Sequence, residues 1–266
     1  MLIFPQLASG AVAQYPFVKN RTERTVINRS EDGYFWGFAD PYSAHVRWEL
    51  YYEELTRVEA QTLATFFETC EGSLQSFTFL DPSANLLVFS EDQAQPAFQR
   101  NSLLQLTPGV ADPFGGSHAF TLLNTSGAFL ELTQTVQIPG SVTCNFSFYA
   151  RSAAPVDLSV KRNDGSTVFS KPIRTTNVWQ RFSVSSTFAS STSAFCDFSL
   201  SVQPSDALQI FGFQLDAQPS PNTYLPSTSR SGVYPESRFA SDELTMVATG
   251  PGLFRAKVSV VSRAQF

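Results

Sequence analysis

The chain has 266 residues, room for one large domain or two ordinary ones. It is 42% hydrophobic yet only 15% charged, against about a quarter in ordinary globular chains, and it carries 25 Phe. That composition suits β-sandwiches and surfaces covered by neighbours. The net charge of -5, with Lys161-Arg162 as a lone basic pair beside a turn, excludes nucleic acid as the main partner.

In chain order, Phe4-Pro5, Gly10 and Tyr15-Pro16 punctuate the first segment, so Phe4 to Pro16 reads as extended backbone with turns. Arg21 to Asn28 alternates around Val26 as a strand, and Ser30-Glu31-Asp32-Gly33 is a turn signal. The aromatic run Tyr34-Phe35-Trp36-Gly37-Phe38 has two readings: core or sheet packing, or an exposed loop that packs against another subunit. Val46, Trp48, Leu50 and Tyr52 then alternate with His45, Arg47, Glu49 and Tyr51, the period of a half-buried strand. Thr56-Arg57-Val58-Glu59 is a capping box, followed by Leu63, Phe66, Phe67 and Cys70 at helical spacing. Gly72 is expected to end the helix in the left-handed region, and a strand through Leu74, Phe77 and Phe79 to stop at Asp81-Pro82.

From Asn85 to about Ser229 the helical period is gone. Short alternating segments recur at Phe129–Leu132, Val136–Ile138, Val142–Ala150, Val156–Val160, Val168–Phe169, Trp179–Val184, Phe195–Val202 and Leu208–Leu215, with turns such as Pro139-Gly140 and Asn163-Asp164-Gly165 between them. Many short strands at this spacing indicate a sandwich or jelly roll. Pro219-Ser220-Pro221-Asn222 and Pro226-Ser227-Thr228-Ser229 form an exit, and Val233 to Phe266 closes with alternating Leu244, Met246, Ala248 and Phe254, Ala256, Val258, Val260 around Gly250-Pro251-Gly252. An isolated hairpin is marginal in water. The closing hairpin is therefore expected to complete the sheet begun by residues 1–84, and the middle to be an insertion at a loop tip. The expected architecture is mainly β with one α-helix: a split domain of sheet plus helix (residues 1–84 and 231–266) with an inserted antiparallel β-sandwich or jelly roll (residues 85–230).

The remaining chemistry is sparse. Cys70, Cys144 and Cys196 are too few and too far apart for a disulfide framework or zinc site; they read as small buried hydrophobes, with a Cys144–Cys196 bridge between neighbouring strands as the alternative. His45 reads as a surface or interface histidine. Ser117-His118 follows Phe114-Gly115-Gly116 without a nucleophile elbow. HExxH, Walker and GxGxxG motifs are absent, and Glu31-Asp32 and Glu53-Glu54 read as solvated turns or helix starts. Catalytic, cofactor and metal residues are therefore not expected. Phe114, Tyr149 and Trp179 are the candidate sugar-stacking aromatics, against the reading that a sandwich uses such rings in its core. No run approaches the ~20 apolar residues of a membrane span. Met1-Leu2-Ile3-Phe4 is too short for a signal peptide, so neither membrane insertion nor secretion by the usual route is expected.

Phe4-Pro5-x-Leu7-x-x-Gly10-Ala11-Val12-Ala13-Gln14-Tyr15-Pro16, Trp48-x-Leu50-x-Tyr52, Glu59-x-x-x-Leu63-x-x-Phe66-Phe67, Gly72, Phe77-x-Phe79-x-Asp81-Pro82 and Tyr234-Pro235-x-x-Arg238-Phe239 occur in that order. Together they resemble the tail-tip proteins of long-tailed phages and gene transfer agents, the distal tail or lambda minor tail protein M-like family. Asn85 to Asp92, Phe146 to Ala150, Trp179-x-Arg181-Phe182-Ser183, and Phe211 to Asp216 with Thr223-Tyr224-Leu225-Pro226 resemble a carbohydrate-binding-module-like jelly roll of phage tail proteins. The first resemblance implies a virion component assembled in the host cytoplasm. It would sit at the tail tip as a ring, a hexamer in that family, between the tail tube protein and the hub or tip proteins. The second implies an outward domain that binds host surface polysaccharide, or an adsorption protein in which that binding is the main role. Relatives of the jelly roll often hold calcium on an acidic pair of the last strand. Gly212 and Gln214 stand in that region here and Asp216 lies late, so no calcium site is carried over. A carbohydrate-active enzyme with an appended sandwich is the third, disfavoured reading.

Overall fold

The computed structural model describes residues 1–190 and 193–265; residue 266, the end of the expected closing hairpin, lies outside the described residues. The elements run β1 (Val18–Arg29), β2 (Phe35–Thr56), α1 (Arg57–Thr69), β3 (Phe77–Leu80), β4 (Phe98–Arg100), β5 (Leu104–Val110) and β6 (Ala119–Asn124). There follow β7 (Leu130–Val136), β8 (Cys144–Arg151), β9 (Asp157–Asn163), β10 (Val168–Arg174) and β11 (Gln180–Ser186). The last are β12 (Cys196–Val202), β13 (Ala207–Asp216), β14 (Val233–Phe239), β15 (Met246–Gly250) and β16 (Leu253–Arg263). The chain is mainly β, with antiparallel sheets and one helix among the described residues. That helix is not long and apolar enough to cross a membrane. The residues divide into two compact units: Met1–Ala8, Val12–Leu80 and Val233–Phe266 in one, Ser9–Ala11 and Asp81–Gly232 in the other.

The first unit is a sheet in the order β1-β2-β16-β14-β3, with β15 on β16. Its strands from both ends of the chain pair directly, Val260 lying opposite Trp48 and Val258 opposite Leu50. In β2 the alternation sorts the side chains: Val46, Trp48, Leu50 and Tyr52 are buried, while Arg47 and Tyr51 face out. The helix starts on its capping box. Glu59 N donates to Thr56 Oγ1 (3.3 Å) and Thr56 N donates to Glu59 Oε2 (2.9 Å). Burial opposes the Glu59 charge, but the Thr56 hydroxyl and amide and the Ala8 amide outweigh it and hold the carboxyl below its usual value. The helix lays Phe66 and Phe67 on a cluster of Phe4, Phe77, Phe79, Trp48, Tyr234 and Phe239, with ring centres 4.7–5.9 Å apart along the chain of contacts.

Of three local expectations, the first is refined, the second corrected, and the third settled between its two readings. The left-handed stretch after α1 begins at Glu71 (φ 51°), one residue before Gly72 (φ 65°). Gly72 is still required, because a Cβ there would come within 2.7 Å of the Asp242 carboxylate that accepts from Ser73 N and Oγ. The strand does not run through Leu74. The amides of Leu74 and Gln75 are held by the carbonyls of Glu71 and Cys70, so residues 70–75 remain a turn, Leu74 is exposed, and β3 starts at Phe77. The run Tyr34 to Phe38 is not core: Tyr34, Phe35, Trp36 and Phe38 are all exposed, beside a Ser30–Gly33 turn at the tip of the β1–β2 ribbon.

The second unit is a sandwich of jelly-roll type. Its two antiparallel sheets run β10-β9-β12-β7-β4 and β11-β8-β13-β6-β5. Phe146, Phe148, Phe198, Phe213 and Phe98 fill the space between them. Arg162 is buried among these strands and donates to the carbonyls of Val142 (2.9 Å), Ser186 (2.7 Å) and Pro139 (3.2 Å), with Phe188 and Phe198 flanking its guanidinium. Cys70, Cys144 and Cys196 are free and buried, so the alternative of a Cys144–Cys196 bridge is not realised. Burial pushes the Cys144 thiol up to about 12, against the pull of Arg162.

Candidate functional site

Strand β8 decides which residues face away from the sandwich core. Phe146, Phe148 and Ala150 point in, so Asn145, Ser147, Tyr149 and Arg151 form the opposite row. Pairing extends that row sideways: Tyr149 lies opposite Arg181 of β11 and Phe211 of β13, and Arg151 lies opposite Gln209. The outer face of this sheet therefore carries a band of aromatic and polar side chains.

Phe114 reaches the band from the loop between β5 and β6. Its ring meets Tyr149 edge-on at 5.5 Å, Phe211 at 5.9 Å and stacks on Tyr224 at 5.8 Å and 10°. The loop is shaped by Asp112, whose carboxylate accepts from the amides of Phe114 (2.8 Å), Gly116 (3.0 Å) and His118 (3.2 Å). Burial disfavours the Asp112 charge, but those three amides and the nearby His118 outweigh it, leaving the carboxyl below its usual 3.8. His118 Nδ1 faces carboxylates, Asp112 at 3.5 Å and Glu91 at 3.8 Å. Tyr224 is fixed by its hydroxyl, 3.0 Å from Glu91 Oε1 and 3.1 Å from Ser90 Oγ, and burial raises its pKa. Gly212 (φ 64°) sits beneath it at a bulge in β13, where a Cβ would press on the Tyr224 ring at 3.0 Å.

Trp179, just before β11, stands apart from this cluster. The Arg151 guanidinium lies 4.8 Å from the centre of its ring, and Arg151 Nε donates to Gln209 Oε1 at 2.6 Å. Beside them opens a cavity of about 320 Å³ lined by Thr121, Arg151, Ser152, Asn177 and Gln209 over the buried Leu208. Arg151 and Tyr149 are two residues apart on one face of β8, roughly 7 Å. Of the three sequence candidates, then, Phe114 and Tyr149 touch, and Trp179 occupies the same face one step along. Arg151, Gln209 and Asn177 belong to no motif of the sequence, and Phe211 and Tyr224 enter it only through the jelly-roll resemblance. The polar phase of the Asn145-Ser147-Tyr149-Arg151 alternation carries the signal for Arg151; pairing across strands, which one sequence does not show, supplies Gln209 and Phe211, and loops bring in Asn177 and Tyr224. Arg181 is spoken for: it donates to Asn222 O (2.7 Å) and Ser147 Oγ (3.0 Å) and lies over Tyr149. His45, at the start of the buried part of β2, has Nδ1 3.1 Å from Ser43 O. Among the described residues no group of His, Cys, Asp and Glu has the arrangement of a metal site.

No family model matches this chain, and no curated protein matches it. Comparison with solved structures finds TmCBM61 in complex with β-1,4-galactotriose, 18% identical over 51% of this chain and 100% of that one, with a TM-score of 0.41. The CBM22-1 xylan-binding domain of Paenibacillus barcinonensis Xyn10C is 15% identical over 53% and 99%, with a TM-score of 0.42. The enzymatically active domain of bacteriophage CBA120 tailspike protein 4 is 14% identical over 52% of this chain and 22% of that one, at 0.40.

Proposed function

We propose that this chain is a structural component of the tail tip of a long-tailed phage or phage-like particle, and that its jelly roll binds a host surface polysaccharide. In this reading the first unit builds a ring between the tail tube protein and the hub, and the chain catalyses nothing. Support for the assembly role comes from the residues whose order resembles tail-tip proteins. Phe4, Trp48, Phe66, Phe67, Phe77, Phe79, Tyr234 and Phe239 are scattered over more than two hundred positions and converge in one aromatic cluster. Immunogold labelling of purified particles tests it: label at the tail end distal to the head is expected, and particles without the chain overturn it.

The observation that carries the binding role is the cavity lined by Arg151, Asn177 and Gln209, with the Trp179 ring against Arg151 and the Phe114–Tyr149–Tyr224 group two residues along β8. A ring face stacks on the C–H side of a sugar, and Arg151, Asn177 and Gln209 supply convergent donors and acceptors for its hydroxyls. On a glycan array the full chain is expected to bind, and Trp179→Ala or Arg151→Ala to weaken binding by roughly tenfold or more, about 1.4 kcal/mol. Absence of binding to any polysaccharide by a folded wild-type chain removes this half of the proposal. Release of oligosaccharides would replace it with an enzymatic one.

A further inference from the structure

Half of the β1–β2 ribbon has no support from the rest of its sheet. β16 pairs with β2 only from Thr56 down to His45, whereas β1 and β2 stay paired from Arg24–Asp40 out to Arg29–Phe35. A lone two-stranded ribbon is marginal in water. Register and pleat place Trp36, Phe38 and Val26 on one face of this arm, and they are 57%, 57% and 38% exposed. Arg24 and Asp40 pair at 3.8 Å at the base of that face, and Glu31 and Asp32 sit in the turn at the tip. A row of exposed aromatics of this kind marks an interaction surface.

The same unit carries a matching concavity. Helix α1 buries Ala60 and Leu63, while Val58, Thr62, Thr65 and Phe66 line a mostly apolar groove of about 640 Å³ with Leu2 and Pro5. The Thr62 and Thr69 hydroxyls donate to the carbonyls of Val58 (2.9 Å) and Thr65 (2.7 Å), four residues back, so both are satisfied within the helix. Val58 is 75% exposed, and Arg57 is the one charged residue of the lining. An acidic-tipped aromatic arm and an apolar groove with a single cation at its rim are complementary in both polarity and charge. The arm's own copy does not use the match, since its aromatics are exposed.

We propose that the Trp36–Phe38 face of the arm of one copy seats in the α1 groove of a second copy, with Glu31 and Asp32 toward Arg57. Arm and groove are different patches, so the contact is heterologous and propagates until it closes into a ring or runs on as a filament. The inference deepens the proposed ring, yet it is read on the purified chain, so it fails separately from the presence of the protein in particles.

Sedimentation velocity on the full chain is expected to show concentration-dependent assembly. Trp36→Ser on the arm and Val58→Asp in the groove, both at exposed positions, are expected to weaken it roughly thirtyfold or more, with circular dichroism unchanged. Arg57→Glu should weaken it less, and the combination with Glu31→Lys and Asp32→Lys should recover part of the loss. A photoreactive benzoylphenylalanine in place of Phe38 should cross-link to α1 or to residues 2–5 of another copy. A wild-type chain that stays monomeric at every concentration reached, a Trp36→Ser chain that assembles like wild type, or a cross-link to any other segment overturns the proposal.

Discussion

Asp112 shows how one side chain sets the geometry of the candidate binding face. Three amides converge on its carboxylate and thereby present Phe114 to Tyr149, Phe211 and Tyr224. Asp112→Asn keeps the shape but turns an NH₂ group toward an amide that needs an acceptor. An unmade buried hydrogen bond costs about 1–3 kcal/mol. The pH dependence has a definite sign. The folded carboxyl titrates below its ordinary 3.8, so its stabilisation is complete above that pH and is lost as the pH falls through the lower folded value. The melting temperature of Asp112→Asn is expected to lie below wild type at pH 7, and the gap to narrow below about pH 3.8. A gap that is the same at pH 7 and pH 3 would place its origin outside the charge.

At the scale of elements, the sequence was most legible where chemistry is local. The capping box, the buried phase of β2 and the tip turn each depend on residues a few positions apart, and they occur where the spacing put them. Thr56→Ala removes both the cap on Glu59 N and a hydroxyl partner of Glu59. It should cost about 1 kcal/mol, seen as a fall of roughly 4–8 °C in the melting of the first unit. Legibility failed where a tertiary partner decides. β4, β5 and β6 were not expected at all; β5 carries Thr107-Pro108-Gly109, which reads as a breaker, yet its register simply shifts between Thr107 and Val110 and pairing with β6 resumes. The aromatic run before β2 was ambiguous for the same reason. Whether Trp36 is core or surface depends on whether another strand lies over it, and none does among the described residues. At the candidate site, Tyr149 could be found from its own strand, but Tyr224 arrives from a segment 75 positions further on and only the Gly212 bulge makes room for it.

For the whole molecule, the place where the sandwich leaves and re-enters the chain fixes what each part should do alone. Leu80 of β3 pairs with Val233 of β14, and Asp81 N donates to Gly232 O at 2.8 Å, so the two cut points are neighbours on adjacent antiparallel strands. A tight Asn-Gly turn joining Asp81 directly to Gly232 would close the same pair as a short hairpin. It would leave the Trp48–Phe79–Tyr234 contacts untouched, since all three residues lie in the first unit. The excised chain is therefore expected to fold, to melt cooperatively and to keep the proposed self-association through Trp36 and Val58, while showing none of the proposed polysaccharide binding. Near-ultraviolet circular dichroism, sedimentation velocity and the glycan array read these three properties separately. An excised chain that fails to fold would show that the first unit needs the sandwich for its stability. One that folds and still binds glycan would move the binding face away from Trp179 and Arg151.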